Sequence, residues 1–367
     1  VTAEEAVASL LYAERRLQND RMPCGGRQVW TTNFVPGIWS VRERWPGDNY
    51  HLALACFQAG LGTDGWELFR GTFLNTAFNQ LVPGDFGATA GGTDFGDCTH
   101  MFARTLVEGL FGFAPDRADG VVRVLPQLPA AWKHALMQTP EVRLEFARKG
   151  SVSTLTVELS PPATRLILRL PICARGIKRV TVDGREIRWQ AEPGYGQTFI
   201  CVDLPHVTRA ELRVEATGKV SRAASLTSQG NAGDRLTFAA AGAKVESYSD
   251  PQRVLAGAAL RHGRLTARLA ANPGWHTVHT QVRVGELPQL RRWLIHVTDP
   301  AAVRKAAAQR PGKVTARSRW HCVDLAPVLN GDVRTIYSQE YLTPRTKTIS
   351  VRVGTDGCSP WTFRCWN

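Results

Sequence analysis

The sequence predicts a multidomain chain in which helices come first and antiparallel β-sandwich modules follow. Three observations predict it. Apolar residues recur at helical spacing through about residue 113. Near Ala114 the period drops to two and Gly, Pro and Asp-Gly turns begin to punctuate the chain. The length is 367 residues, which at roughly 150 residues per domain suggests two or three domains.

The helical elements come in order. Ala3–Leu17 places Val7, Leu10, Leu11 and Glu14 at helical spacing. Tyr50–Leu61 puts Leu52, Ala55, Cys56 and Ala59 on one face, and Thr63–Phe78 does so with Trp66, Phe69, Phe73 and Ala77. Asp97–Phe113 follows with Met101, Phe102, Thr105 and Leu110. Gly60, Gly62 and Gly112 stand where helix ends favour a left-handed residue. Two long loops rich in Gly, Pro and aromatic residues, Pro23–Pro46 and Pro83–Gly96, separate the helices. Such loops commonly carry function.

Strands follow. Gly120–Pro126 is short; Leu155, Val157 and Leu159 alternate, then Leu166, Leu168 and Leu170. Val180–Ile187 reads as a hairpin around Asp183-Gly184. Ile200, Val202 and Leu204, then Leu212 and Val214, complete a first sandwich. Gly218–Gly233 reads as a linker, and a second module carries Leu265, Ala267, Leu269, Val278, Thr280, Val282 and Val284. Ala301–Gln309 reads as a helix, before a further β-region. The expected boundaries are 1–119, 120–217, 218–313 and 314–367. The first residue is not Met and the last stretch is apolar, so a portion of a longer protein is expected.

Charge narrows the function classes. The net charge is +13, yet residues 1–120 hold 9 basic and 14 acidic side chains. The later strands carry their arginines singly (Arg165, Arg169, Arg213, Arg264, Arg268, Arg283). That pattern reads as a solvated basic face and not as a nucleic-acid groove. No apolar run is long enough for a membrane helix. The phosphate loop, the nucleophile elbow and the H-E-x-x-H motif are all absent. Cys98 and His100 have no second Cys/His pair close in sequence, so neither metal nor other cofactor is expected.

What remains is a set of acids and aromatics at helix ends. Trp39–His51 holds Glu43, Trp45 and Asp48; Gly91–His100 holds Asp94 and Asp97. Glycoside cleavage needs two carboxyl groups flanking the scissile bond. We therefore expect Asp94 and Asp97, with Glu43 and Asp48 across a cleft, to be catalytic. Trp30, Trp39, Trp45, His51 and His100 are expected to bind sugar. Structural alternatives stand beside these. Asp48 and Asp94 are also placed to cap helices, Glu43 to pair with Arg42 or Arg44, and the histidines to serve packing.

The stretch from Trp30 to about Ala135 resembles bacterial six-hairpin glycosidases, the α-L-rhamnosidase-like group. Trp30–Pro36, His51–Ala55, Pro83–Phe86, Asp94–Asp97, Arg104–Phe113 and Leu125–Pro129 carry the resemblance. It implies the last third of an (α/α)6 barrel joined to β-sandwich modules, in a glycoside hydrolase acting on a complex polysaccharide. It also implies an extracellular or periplasmic location for the full-length protein. Two alternatives stay open: a polysaccharide lyase drawing on Asn49, Tyr50, His51 and Arg104, and a non-catalytic glycan-binding protein.

Overall fold

The computed structural model describes residues 3–15, 17–31, 44–78, 96–219, 225–240, 242–271, 273–298, 348–351 and 361–364. Among these, four α-helices form: α1 (Ala3–Arg15), α2 (Pro46–Gln58), α3 (Gly62–Phe78) and α4 (Gly96–Arg104), the last running into a π-helical turn, Thr105–Leu110. Glu4 and Glu5 open α1 and Arg15 closes it, the charge order that suits a helix dipole. Every other described element longer than a turn is a strand.

The first β-body is one nine-stranded sheet bent over itself. Its axis is a pair of long antiparallel strands, Val152–Ile172 and Gln197–Lys219. Burial along Val152–Ile172 alternates with period two, but Ser160, Pro161 and Pro162 are all exposed. Leu155, Val157 and Leu159 are buried on one side of that break, and Leu166, Leu168 and Leu170 on the other. The strand therefore serves two faces of one core. The Asp183-Gly184 turn forms as expected, with φ of 49° and 78°, the left-handed pair of a two-residue hairpin.

The second β-body packs a four-stranded sheet on a three-stranded one. Ser225–Asn231, Leu287–Thr298, Gly274–Val284 and Lys244–Ser249 form the first; Arg235–Phe238, Arg264–Leu269 and Leu255–Arg261 form the second. Phe238, Val245, Leu265, Leu269, Val278, Val282, Trp293 and Ile295 fill the space between them. Ser225–Asn231 lies in the stretch expected to be linker, yet it pairs parallel with Leu287–Thr298. Of residues 299–367, two short antiparallel strands are described, Thr348–Val351 and Trp361–Arg364; the expected helix Ala301–Gln309 lies outside the described residues.

The expected partial (α/α)6 barrel is overturned. The described residues are mostly β, with four short α-helices among them, and the resemblance to six-hairpin glycosidases falls with the barrel. The physical reason lies in what covers the helices. Leu54, Phe57, Leu61 and Leu68 belong to the same continuous core as Val122, Leu155, Leu168 and Leu212 of the first β-body. Trp66 of α3 meets Trp132 edge-on at 5.0 Å. On the other side, α1 reaches the second β-body, where Arg15 lies 4.6 Å over the Trp275 ring. Among the described residues the helices pack on one another, Tyr50 meeting both Phe69 and Phe102, and the rest of their apolar surface joins the core of the first β-body, where a barrel would need further helix hairpins.

The arginine-rich strands resolve into cross-strand ion pairs on exposed faces. Arg165 pairs with Asp203, Lys178 with Glu215, Arg209 with Glu158, and Arg283 with Glu246. Part of the positive charge is thereby neutralised locally, and exposed pairs of this kind add little to stability.

Candidate functional site

The site is built on a short antiparallel hairpin, Asn19–Arg21 with Arg27–Val29. The hairpin is pressed against α3 by two glycines. A Cβ on Gly71 would lie 2.4 Å from both the Arg27 nitrogen and its carbonyl oxygen, and one on Gly26 would lie 2.4 Å from the Gly71 nitrogen. Only backbone without side chains permits that approach.

Asn49 joins the hairpin to the start of α2. Its side chain is almost fully buried. Oδ1 accepts from the Val29 N–H at 2.7 Å, while Nδ2 donates to the Val29 carbonyl and to the Trp45 carbonyl, both at 2.9 Å. Trp30, next along the chain, continues the ladder by donating its N–H to the Gln18 carbonyl at 2.9 Å. One buried amide therefore brings Trp30, Arg44, Trp45 and Asp48 to the same end of α2.

Around Trp30 the polar groups are ordered. The indole Nε1–H donates to Asp20 Oδ2 at 2.6 Å, and Gln18 Nε2 donates to Asp20 Oδ1 at 3.1 Å. Arg44 Nη1 stands 3.8 Å from Asp20 Oδ2, and its guanidinium carbon lies 5.7 Å from the Trp30 ring centre. Asp20 and Arg44 side chains keep 28% and 35% of their surface exposed, so a ligand can reach both. An aromatic plate, a carboxylate and a guanidinium thus share one partly solvated surface. A sugar ring uses that set: its apolar face stacks, and its hydroxyls donate to the carboxylate and accept from the guanidinium.

The expected site residues divide as follows. Trp30, Trp45 and Asp48 come together. Asp48 is exposed in the first turn of α2, whose N-cap position is taken by Trp45. His51 is exposed on α2 and His100 on α4. Asp97 sits in the first turn of α4; its side chain, like Glu43, Trp39 and Asp94 entirely, lies outside the described residues. Helix α4 and its π-helical extension run alongside α2 in the same direction. Phe102 meets Tyr50 edge-on at 5.7 Å, Thr105 Oγ1 donates to the Tyr50 carbonyl at 3.0 Å, and Gly109 abuts Leu54 and Phe57. The first turns of the two helices therefore lie at a common end. Burial raises the Tyr50 hydroxyl pKa far above its ordinary value, so it stays protonated.

Asp20 and Arg44 were not legible as site residues, and Asn49 was read only as a candidate of the lyase alternative, not as the amide that ties the hairpin to α2. Asn49 beside the apolar helix run was a usable signal, since a buried amide must be hydrogen-bonded. Among the described residues no group of three or more His, Cys, Asp or Glu is placed to hold a metal ion. No described helix is long and apolar enough to cross a membrane.

No family model and no curated protein matches the chain. Solved structures give distant matches. Tandem Ig repeats of Dlar share 9% identity over 41% of this chain and 90% of that one, with a TM-score of 0.16. The endo-fucoidan hydrolase MfFcnA4 from glycoside hydrolase family 107 shares 7% identity over 46% of this chain and 37% of that one, with a TM-score of 0.17. The Bacteroides ovatus protein SGBP-B, solved with a mixed-linkage heptasaccharide, shares 9% identity over 43% and 55%, also at 0.17. Most such neighbours are Ig-like, and some are glycan-binding or glycoside hydrolase proteins. At these TM-scores the matches carry no argument for either the fold or the function of this chain.

Proposed function

We propose that the chain binds carbohydrate at the surface formed by Trp30, Asp20 and Arg44. The observation that supports this reading is the tethered indole, with Trp30 Nε1 2.6 Å from Asp20 Oδ2 and Arg44 3.8 Å from the same oxygen. A stacked ring contributes about 1 kcal/mol. One or two charge-assisted hydrogen bonds add about 1.5–3 kcal/mol each. Roughly 4 kcal/mol in all corresponds to a Kd of about 1 mM for a single sugar. Complex glycans lie outside the cytoplasm, so the reading places the working protein in an extracellular or periplasmic compartment.

The test is affinity electrophoresis against a panel of neutral and acidic polysaccharides, with Trp30→Ala and Asp20→Asn. Asparagine keeps an acceptor for the indole N–H while removing the charge. Losing the stack should weaken retention about fivefold, and losing the charge about tenfold or more. Unchanged retention in both variants refutes the site.

A second reading adds glycoside hydrolysis. It is favoured by the shared direction of α2 and α4, which brings the backbone positions of Asp48 and Asp97 to one end. Asp48→Asn and Asp97→Asn in the full-length protein should each lower release of reducing ends by about 10²–10⁴-fold. Near-normal turnover in both variants excludes them as catalysts. A product absorbing in the ultraviolet would instead mark a lyase.

A further inference from the structure

The three-stranded sheet of the second β-body turns one face to its core and the other to solvent. Phe238, Leu265, Ala267 and Leu269 are buried on the inner face. Arg235, Arg264 and Arg268 alternate with them and are exposed, so they stand on the outer face. Strand pairing sets arginines directly opposite one another. Arg235 is the cross-strand partner of Arg268, and Arg261 is the partner of Arg264. The His262-Gly263 turn, with φ of 51° and 71°, fixes the second pair as a two-residue hairpin. Arg264 and Arg268 stand four residues apart on one strand, so the two pairs lie about 13 Å from each other on the same face. The four guanidinium groups run diagonally across all three strands.

Like charges directly opposite each other destabilise a sheet, and nothing in this one offsets them. No acidic residue occurs in Arg235–Phe238, Leu255–Arg261 or Arg264–Leu269. None of the four arginines has an ion pair among the described residues. The nearest acids in sequence are committed to turns. Asp234 Oδ2 accepts from the Asn231 N–H at 2.7 Å, and Asp250 accepts from the Val254 and Leu255 N–H groups at 3.1 and 2.7 Å. Lys244 adds a further cation beside the hairpin turn, where the Val245 N–H donates to the Gly263 carbonyl at 2.9 Å. Elsewhere Arg165, Arg209 and Arg283 each meet an acid across the sheet. Residues 225–298 as a whole hold nine Lys and Arg against four Asp and Glu, so the second β-body has no local acid to spare for this face.

We propose that this arginine face docks a carboxylated polysaccharide, a polyuronate chain lying along the diagonal of the two arginine pairs. A guanidinium presents a planar fork of donors that matches the two oxygens of a carboxylate, and a polyuronate repeats that group along its length. Thr237 and Thr266 are opposite each other between the arginine pairs and put hydroxyls where the sugar hydroxyls pass. No aromatic side chain of the three strands faces outward, since Phe238 is buried. The face therefore lacks the stacking platform that single-stranded nucleic acid uses. The choice of a glycan among polyanions rests on the carbohydrate reading above; the unpaired arginines do not.

The experiment measures binding of the full chain to immobilised polygalacturonate, neutral dextran and duplex DNA at physiological ionic strength, with Tm recorded on the same samples. Saturable binding to polygalacturonate that weakens with added salt, and none to dextran, is expected. Arg264→Gln/Arg268→Gln should weaken it about tenfold or more, with Tm equal to or above wild type because like-charge opposition is relieved. Arg165→Gln/Arg209→Gln removes the same charge from neutralised pairs and should leave binding unchanged. The effect of the Arg264/Arg268 pair should persist in a Trp30→Ala background, so failure of the Trp30 surface and failure of this face are read separately. No binding to polygalacturonate, tighter binding to DNA, equal weakening in the two double variants, undiminished binding in Arg264→Gln/Arg268→Gln, or a lower Tm in that variant overturns the proposal.

Discussion

Replacing Arg292 by Met tests how the helical layer is joined to the second β-body. Arg292 is 1% exposed and donates to both oxygens of Glu14, at 2.9 and 3.2 Å, and to Ser225 Oγ at 2.9 Å. Asp64 Oδ2 lies 3.4 Å away. Burial disfavours the charge, but Glu14 and Asp64 more than offset it and raise the guanidinium pKa. Methionine fills similar volume and strands the two acids. Breaking a buried pair from one side costs about 3–5 kcal/mol. Arg27, 3.9 Å from each acid, still offers partial compensation, which points to the low end, about 3 kcal/mol. The midpoint of thermal unfolding should fall by about 6–12 °C. Urea unfolding of wild type, Arg292→Met and the triple variant Glu14→Gln/Asp64→Asn/Arg292→Met is the assay. The triple variant should recover most of the loss, because the cost lies in unpaired charge and not in missing contacts. A loss below about 1 kcal/mol in the single variant, or an equal loss in the triple, refutes the reasoning.

Two further outcomes follow from the geometry. His279 is buried, accepts or donates at Nδ1 with the Tyr195 hydroxyl at 2.8 Å, and titrates at about 4; burial lowers it, Glu4 opposes this and Arg292 adds to it. Since the folded pKa lies below the ordinary 6.5, the stabilisation is present above pH 6.5 and lost as the pH falls towards 4, about 3 kcal/mol in all. His279→Asn should flatten the dependence of stability on pH across that window, and an identical slope in both proteins would contradict it. Gly71→Ala gives a test of sign: helix propensity alone predicts a gain of about 1 kcal/mol, whereas the clash with Arg27 backbone predicts a net loss of about 1–3 kcal/mol by chemical denaturation.

Periodicity reports that a face is buried, not what buries it. Leu52, Ala55, Cys56 and Ala59 read as one helical face; the helix forms, but of these Cys56 alone is buried, beside Ala53, Leu54 and Phe57, and a helical period serves a helix partner or a sheet alike, so the barrel did not follow. Turn chemistry was more telling at Asp183-Gly184, where two positive φ angles leave few alternatives. The site was legible only in part. Trp30 and Asp48 were visible by type, while Asp20 gained its role from a hairpin register that pairs Asn19 with Val29. Arg291 and Arg292 inside an apolar strand were a visible anomaly, but the partners of Arg292 stand 278 and 228 residues away. Nothing local could have named them.

That separation has a kinetic meaning. The contact between Glu14 and Arg292 closes a loop of 278 residues, at an entropic cost of about 5 kcal/mol before any contact repays it. Ribosomes extend chains at about 5–20 residues per second, so α1 emerges roughly 15–55 s before the strand that holds Arg292. Through that interval Val7 and Leu10 can join the core shared with the first β-body, but Glu14 and Arg15 still lack Arg292 and Trp275. The C-terminal end of the first helix is thus among the last pieces to be locked. A nascent chain of this protein presents an amphipathic helix to whatever holds unfinished chains.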